Sequence, residues 1–339
     1  MNSTHSESSS LLRRYEFYDR SFIYLGDSNG DTKKPSIRVM QWNILAQGFV
    51  PLDEFVHCPS AVLDVESRCS QIAAEIHRFT PDVVCLQEAD VHEQVLRHLN
   101  KDHDMYELQF RPKDNSPCLG IPNNMGPDGV AIIFRSDRFL LVHCEDLPLD
   151  ELNDRTALLC ALRPKNSRIF EQFPLIYVVS VHLKAKTQFS AVRLSQGTFL
   201  CNALRTISRR AIVRDDPIPP LFVCGDFNAE PHEPVIQLMQ DVACPHGWEL
   251  RSVYAEAYGG SEPEYTTWKI RGGKRLAEIE EACHTIDYIW YSSNVLKPLG
   301  AWSLPTREEI GPYGLPSTIF PSDHLDLVAD FTLDRHSVI

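Results

Sequence analysis

Nowhere does this chain hold an apolar run near the roughly 18 to 20 residues of a membrane-spanning helix, and its start lacks the apolar core of a secretory signal. Neither a helical span nor a secretory leader is expected. Cysteine occurs ten times but never as Cys-x-x-Cys, and no set of cysteines and histidines has zinc-site spacing, so Cys283-His284 reads as an incidental pair. Cys85, Cys160 and Cys224 lie inside apolar runs, where a thiol serves as a small core residue, and this usage fits a reducing compartment. No Gly-x-Ser-x-Gly elbow supports a serine hydrolase, and no internal repeat is found. Positive charge is scarce: 33 Lys and Arg face 46 Asp and Glu, and the net charge of −13 repels polyanions at long range. Any phosphate chemistry must therefore rest on local charge.

What the chain does contain is ample apolar material, 43%, for one large or two ordinary domains. Residues 1–36 are rich in serine and other polar groups and read as a flexible N-terminal segment. Arg13-Arg14 lends that segment only a weak mitochondrial character, which Glu7, Glu16 and Asp19 oppose, so a cytoplasmic protein is expected. From 37 to 333 buried strands and amphipathic helices follow one another without a linker. Strands are expected at 37–44, 83–86, 130–134, 156–162, 175–181, 221–224, 286–291 and 325–331. Val65, Cys69, Ile72, Ile76 and Phe79 recur at helical spacing, as do Leu194, Leu200, Cys201, Leu204 and Ile207. A long loop at 111–127 carries Lys113, and loops of that length are often functional. Several strand pairs look like antiparallel hairpins, which argues against a purely parallel doubly wound sheet. The expected fold is α/β, a single domain in which two mixed β-sheets pack together with helices outside.

Five apolar runs end in, contain or lead out from a polar group able to do chemistry: Asn43, Glu88, His182, Asp226 with Asn228, and Asp323 with His324. One strand ending in an acid is unremarkable, but repetition points to several strand ends converging on a shared rim, where α/β sheets place ligands. Asp226 and Asn228, at the end of the buried run 221–224, suit the handling of a proton and the holding of an oxyanion. The same residues would also suit a turn. A hard carboxylate such as Glu88, aided by Asn43, is what Mg²⁺ prefers. Asp323-His324 would place an acid beside an imidazole whose positive charge neutralises a phosphoryl group in flight, or would form a turn after Pro321. Asp287, flanked by Ile286 and Ile289, needs a partner, either a histidine or a loop backbone.

Taken in order, Trp42-Asn43, Leu86-Gln87-Glu88, His182-Leu183-Lys184, Gly225-Asp226-Phe227-Asn228, Asp287-Tyr288-Ile289 and Ser322-Asp323-His324 resemble the exonuclease, endonuclease and phosphatase superfamily with the DNase I-like fold. The resemblance implies that 37–333 is its catalytic domain and that the reaction is Mg²⁺-dependent phosphoester hydrolysis. By position Glu88 would hold the metal with Asn43 assisting, and Asp226 would activate or orient water. Asn228 and His324 would bind phosphoryl oxygens, with Asp323 orienting His324 or completing the metal shell. Longer strings, 39–47, 124–129 and 265–271, are similar to a branch first grouped with poly(A) deadenylases, whose better supported activity removes the 2′-phosphate from NADP⁺ and NADPH. The substrate contacts implied are Lys113, Asn153, His182, Lys184, Lys186 and Arg271. That branch leads one to expect Arg at position 186, and Lys keeps the charge while losing the bidentate fork. The expectation is thus a monomer acting on NADP(H). A poly(A) exonuclease is the alternative, and a scaffold without catalysis fits poorly because all six motifs are intact. Lys269, Arg271, Lys274 and Arg275 suffice for one dinucleotide but make a short track for RNA.

Overall fold

Strands that are apolar on successive residues need cover on both faces, and two stacked sheets, each backed by helices, supply it. A computed structural model describes residues 17–25, 36–50, 55, 57–149, 156–165, 175–212, 218–241, 247–272 and 279–333. In chain order the elements begin with β1 (Phe22–Tyr24), β2 (Ile37–Asn43), α1 (Val65–Phe79), β3 (Val83–Gln87), α2 (His92–Leu99), β4 (Tyr106–Pro112) and β5 (Gly129–Arg135). Next come β6 (Phe139–Pro148), β7 (Thr156–Pro164), β8 (Ile176–His182), α3 (Ser190–Ile212), β9 (Leu221–Asp226), α4 (Pro234–Gln240) and β10 (Leu250–Ser252). The chain closes with α5 (Val253–Ala257), β11 (Thr267–Arg271), β12 (Glu280–His284), β13 (Asp287–Ser292), β14 (Leu296–Trp302), α6 (Arg307–Ile310) and β15 (Leu327–Leu333). One sheet has the order β1-β14-β15-β2-β3-β5-β4, the other β10-β13-β9-β8-β7-β6, and β11-β12 form a separate ribbon. No helix among the described residues is long and apolar enough to cross a membrane.

Each sheet is antiparallel except for one central parallel pair, β2 with β3 and β8 with β9. The period-2 alternation then assigns every side chain to a layer. Ile37 and Val39 of β2, Val83 and Cys85 of β3, Val178 of β8, Phe222 and Cys224 of β9 and Ile289 of β13 fill the space between the sheets. Met40 and Trp42 face the other way, onto Cys69, Ile72 and Ile76 of α1, and Leu221 and Val223 face Leu200 and Leu204 of α3. Carried to the strand ends, the inter-sheet parity falls on Asn43, Gln87, His182 and Asp226, while the antiparallel neighbour β13 begins with Asp287 directly opposite Asp226. Four parallel strands thus end, and antiparallel strands begin, at one rim of the inter-sheet core.

Helix α1 forms as its spacing predicts: Asp64 accepts the Ser67 N–H at its start, and Thr80, in the left-handed region, ends it before Pro81. Two expectations change. Leu194 of α3 is 36% exposed, and Arg193 with Gln196 turns inward instead, because Arg193 finds the Lys184 carbonyl to donate to and Gln196 Oε1 accepts the Lys184 N–H. The segment 1–36 is not flexible throughout: β1 pairs with β14, and Arg20 is buried beneath it. Arg20 donates to Ser303 O at 2.7 Å, Asp326 Oδ2 at 2.6 Å, Asp326 O at 3.1 Å and Trp302 O at 3.3 Å, which anchors residues 17–25 against the loop ahead of β15. Replacing Arg20 by Ala would leave Asp326 charged and buried without its partner. A loss of about 3–5 kcal/mol is expected, measured by urea unfolding, and a loss below about 1 kcal/mol would show the anchor to be dispensable.

Candidate active site

Gly225 permits the close approach on which the rim depends, since a Cβ there would lie 2.1 Å from the Val181 carbonyl of the neighbouring parallel strand. Immediately after it, buried Asp226 gathers groups from both sheets. The Asn43 amide donates to Asp226 Oδ2 at 3.0 Å and to Glu88 Oε1 at 3.1 Å, while its own Oδ1 accepts the Leu45 N–H at 3.0 Å. Glu88 Oε2 accepts from Ala46 N at 3.1 Å, and Asp226 Oδ1 from Asn228 N at 2.8 Å. Glu88 and Asn228 sit at φ of 54° and 49°, a left-handed conformation that costs a residue with a side chain and tends to cluster at functional sites.

Two histidines flank the carboxylate. His182 Nε2 lies 3.6 Å and His324 Nε2 4.0 Å from Asp226 Oδ2. His324 Nδ1 is held at 2.9 Å by Asp287 Oδ2, which also accepts from Thr266 Oγ1 at 2.7 Å, and Lys113 reaches His182 Nδ1 at 3.4 Å while pairing with Asp128. Asp323 Oδ2 pairs with Lys269, and its Oδ1 is buried without a hydrogen-bond partner, 4.0 Å from His324 Nε2.

Crowded, dry carboxyls resist ionising. Burial, then the nearby Asp323, pushes Glu88 up to about 7, and burial with Asp287 pushes Asp226 up to about 6. For His324 burial favours the neutral ring, but Asp287, Asp323 and Asp226 outweigh it and raise the imidazole to about 9. Burial likewise opposes the Asp323 charge, yet Lys269 and His324 prevail and lower it to about 2. Asp226, Asp287 and His324 have potential ligand atoms within 4.8 Å of one another. An imidazolium has no lone pair to offer a metal, so that trio reads as a hydrogen-bonded acid–imidazole–acid set. The carboxylate oxygens of Glu88 and Asp226 and the orphaned Asp323 Oδ1 are the ones that suit a hard divalent cation, with Asn43 holding the first two in place through its Nδ2.

The fold therefore brings Asn43, Glu88, His182, Asp226, Asn228, Asp287, Asp323 and His324 to one rim, with Lys113 behind His182. Lys184 and Lys186 follow on the next loop, the former with Nζ 5.0 Å from the Phe189 ring centre and the latter exposed. Arg271 ends β11, where it pairs with Glu280 at 3.2 Å, and Asn153 lies outside the described residues. Asp287 rather than Asp323 orients His324, because Lys269 draws Asp323 away. Sequence reasoning missed Thr266 and Arg68, and counted Lys269 only as local positive charge rather than as the partner of Asp323. Buried Arg68 donates to the carbonyls of Ile44, Leu45 and Pro321, tying the loop after β2 to the one bearing His324. Its signal was a charge set directly beside Cys69 on the apolar face of α1.

The model of the Endonuclease/Exonuclease/phosphatase family matches residues 40–324. Nocturnin of Xenopus laevis is 39% identical over 323 residues, 93% of this chain and 77% of that protein. The human Nocturnin catalytic domain, solved with bound sulfate anion, superposes with a TM-score of 0.70 at 35% identity, covering 93% of this chain and 98% of that one. ANGEL2, described as a 2′,3′-cyclic phosphatase, shares the fold with a TM-score of 0.73 at 24% identity over 94% of this chain and 99% of that chain.

Protonation and cation binding compete for the same oxygens, which gives a pH test. Raised folded values mean that Glu88, Asp226 and His324 contribute stability that is full at low pH and is lost as pH rises through about 6, 7 and 9 in the metal-free protein. Asp323 acts oppositely, losing its contribution only as pH falls toward about 2. Saturating Mg²⁺ should accordingly raise Tm far more at about pH 8 than at about pH 5.5. Equal shifts at both, read by differential scanning fluorimetry, would rule these carboxyls out as ligands.

Proposed function

The chain belongs to the Endonuclease/Exonuclease/phosphatase family and to its nocturnin branch, and from that premise we propose that it is a Mg²⁺-dependent hydrolase removing the 2′-phosphate from NADP⁺ and NADPH to give NAD⁺ and NADH. The observation that carries the reading is buried Asp226, tied through the Asn43 amide to Glu88 and flanked by His182 and His324. Glu88, with Asn43 and Asp323 beside it, would hold the ion. When bound, Mg²⁺ supplies positive charge to the phosphoryl oxygens.

The remaining work belongs to the side chains. Asp226, near half-ionised around pH 6, is poised to orient the attacking water and take its proton as the new O–P bond forms. His324, cationic at neutral pH and fixed by Asp287, and the Asn228 amide are donors suited to the phosphoryl oxygens as the bond to the 2′-oxygen breaks and that oxygen takes up a proton from solvent to leave as the hydroxyl. Asn228 Nδ2 already donates to the Leu183 carbonyl at 3.1 Å, which fixes where it stands.

Charge favours a small substrate over a polymer. Among the described residues Lys113, Lys269 and Arg271 are each matched by a carboxylate, Asp128, Asp323 and Glu280, which reduces the positive field available to track a phosphate backbone. The relative solved with bound sulfate anion supports a fold that accepts a compact tetrahedral anion. Phosphate release from NADP⁺ and NADPH, compared with shortening of adenosine oligomers at several salt concentrations, tests the proposal. Turnover of the dinucleotides falling only gently with salt, negligible shortening, and loss of both signals in Asp226→Ala are expected. Length-dependent shortening that requires Asp226, without phosphate release from NADPH, would replace the proposal with a poly(A) exonuclease.

A further inference from the structure

Three carbonyls on the loop after β8 converge on one buried arginine. Arg193, in the first turn of α3, has no exposed side-chain surface. Its Nη1 donates to the Lys184 carbonyl at 3.0 Å and the Lys186 carbonyl at 2.7 Å, and its Nη2 to that of Thr187 at 3.5 Å. The other edge of the guanidinium meets Glu233 two-pronged, Nε to Oε2 at 3.1 Å and Nη2 to Oε1 at 2.8 Å. Buried Gln196 completes the grip by accepting the Lys184 N–H at 2.9 Å.

Glu233 belongs to a different loop. It stands at the start of α4, and its Oε1 accepts the Glu230 N–H at 3.3 Å, closing the turn that runs on from Asp226 through Asn228. One ion pair therefore joins the loop after β8 to the loop after β9, and the joint extends into the site through Asn228 Nδ2 on the Leu183 carbonyl. Within the gripped loop Lys186 has φ 80° and ψ 140°, where residues other than glycine rarely sit. Such strain persists only where the surroundings over-determine it, and here one guanidinium holds the carbonyls on either side of the Ala185–Lys186 step. A buried ion pair stabilises a fold weakly compared with an apolar filling of the same shape. What this pair supplies is geometry.

We infer that Arg193 and Glu233 form a positioning pair for phosphate recognition: they set the loop bearing Lys184 and Lys186 against Asn228, and so govern the hold on the substrate's phosphate rather than the chemical step. The inference rests on the proposed function, in which those lysines contact phosphate. Arg193→Lys keeps the charge but loses the fork, and Glu233→Gln keeps the shape but loses the charge.

Steady-state kinetics of both variants in the full chain, inhibition by inorganic phosphate, and hydrogen exchange of residues 183–189 together test it. Expected are a KM for NADPH and an inhibition constant for phosphate each raised about ten-fold, kcat within about two-fold of wild type, and faster exchange in that segment. An unchanged KM and phosphate constant in a folded variant, or a kcat loss with KM unchanged, would overturn the inference. Loss of the fold in both variants would make the pair structural and overturn it equally. Wild-type protein that shortens adenosine oligomers but leaves NADPH intact would instead refute the proposed substrate, and the same KM comparison made with the oligomer would still decide the role of the pair.

Discussion

The Asn43 amide reaches across the sandwich, giving one hydrogen to Glu88 on its own sheet and the other to Asp226 on the opposite sheet. That bridge can exist only because the core between the sheets is continuous up to the rim and then stops, leaving polar side chains where the next apolar pair would have packed. Gln41, Gln87 and Ser180 form the layer beneath, hydrogen-bonded among themselves, so the change from apolar to polar is gradual and every member has a partner. The same burial that orders the bridge keeps Glu88 and Asp226 reluctant to ionise. A divalent cation relieves that cost, which couples the chemistry of the site to the packing that built it.

Three buried arginines extend the bridge outward. Arg68 holds the carbonyls after β2 and that of Pro321, Arg20 those at the end of β14 and that of Asp326 ahead of β15, and Arg193 those after β8. In each case a planar fork satisfies several backbone carbonyls at once, so the loops carrying His324 and Lys184 are tied to the body of the fold through paired backbone groups. Arg68 and Arg193 interrupt the apolar faces of their helices, a loss of local amphipathicity that the loop contacts offset.

Much of this was legible in the residues themselves. Apolar runs that end in or contain a polar group marked Asn43, His182, Asp226 and Asp287 as strand residues gathering at a shared rim, and the apolar spacing of α1 marked its buried side. Family resemblance joined the six motifs into one site before any distance was known. Contacts between distant segments were not legible. Nothing near Asp287 in the chain shows that Thr266 and His324 will share its Oδ2, and nothing near Asp323 shows that Lys269 will draw it from the imidazole. The burial of Arg20 was hidden for the same reason, since its acceptors lie about three hundred residues away.

The account stands or falls on Glu88 as a charge that the fold tolerates for its chemistry rather than for stability. Glu88→Ala should abolish phosphate release while the metal-free protein keeps its circular dichroism spectrum and melts no lower than wild type near neutral pH, because burial already penalises that carboxylate. Full turnover by the variant at ordinary Mg²⁺, or a collapse of its fold, would contradict the account.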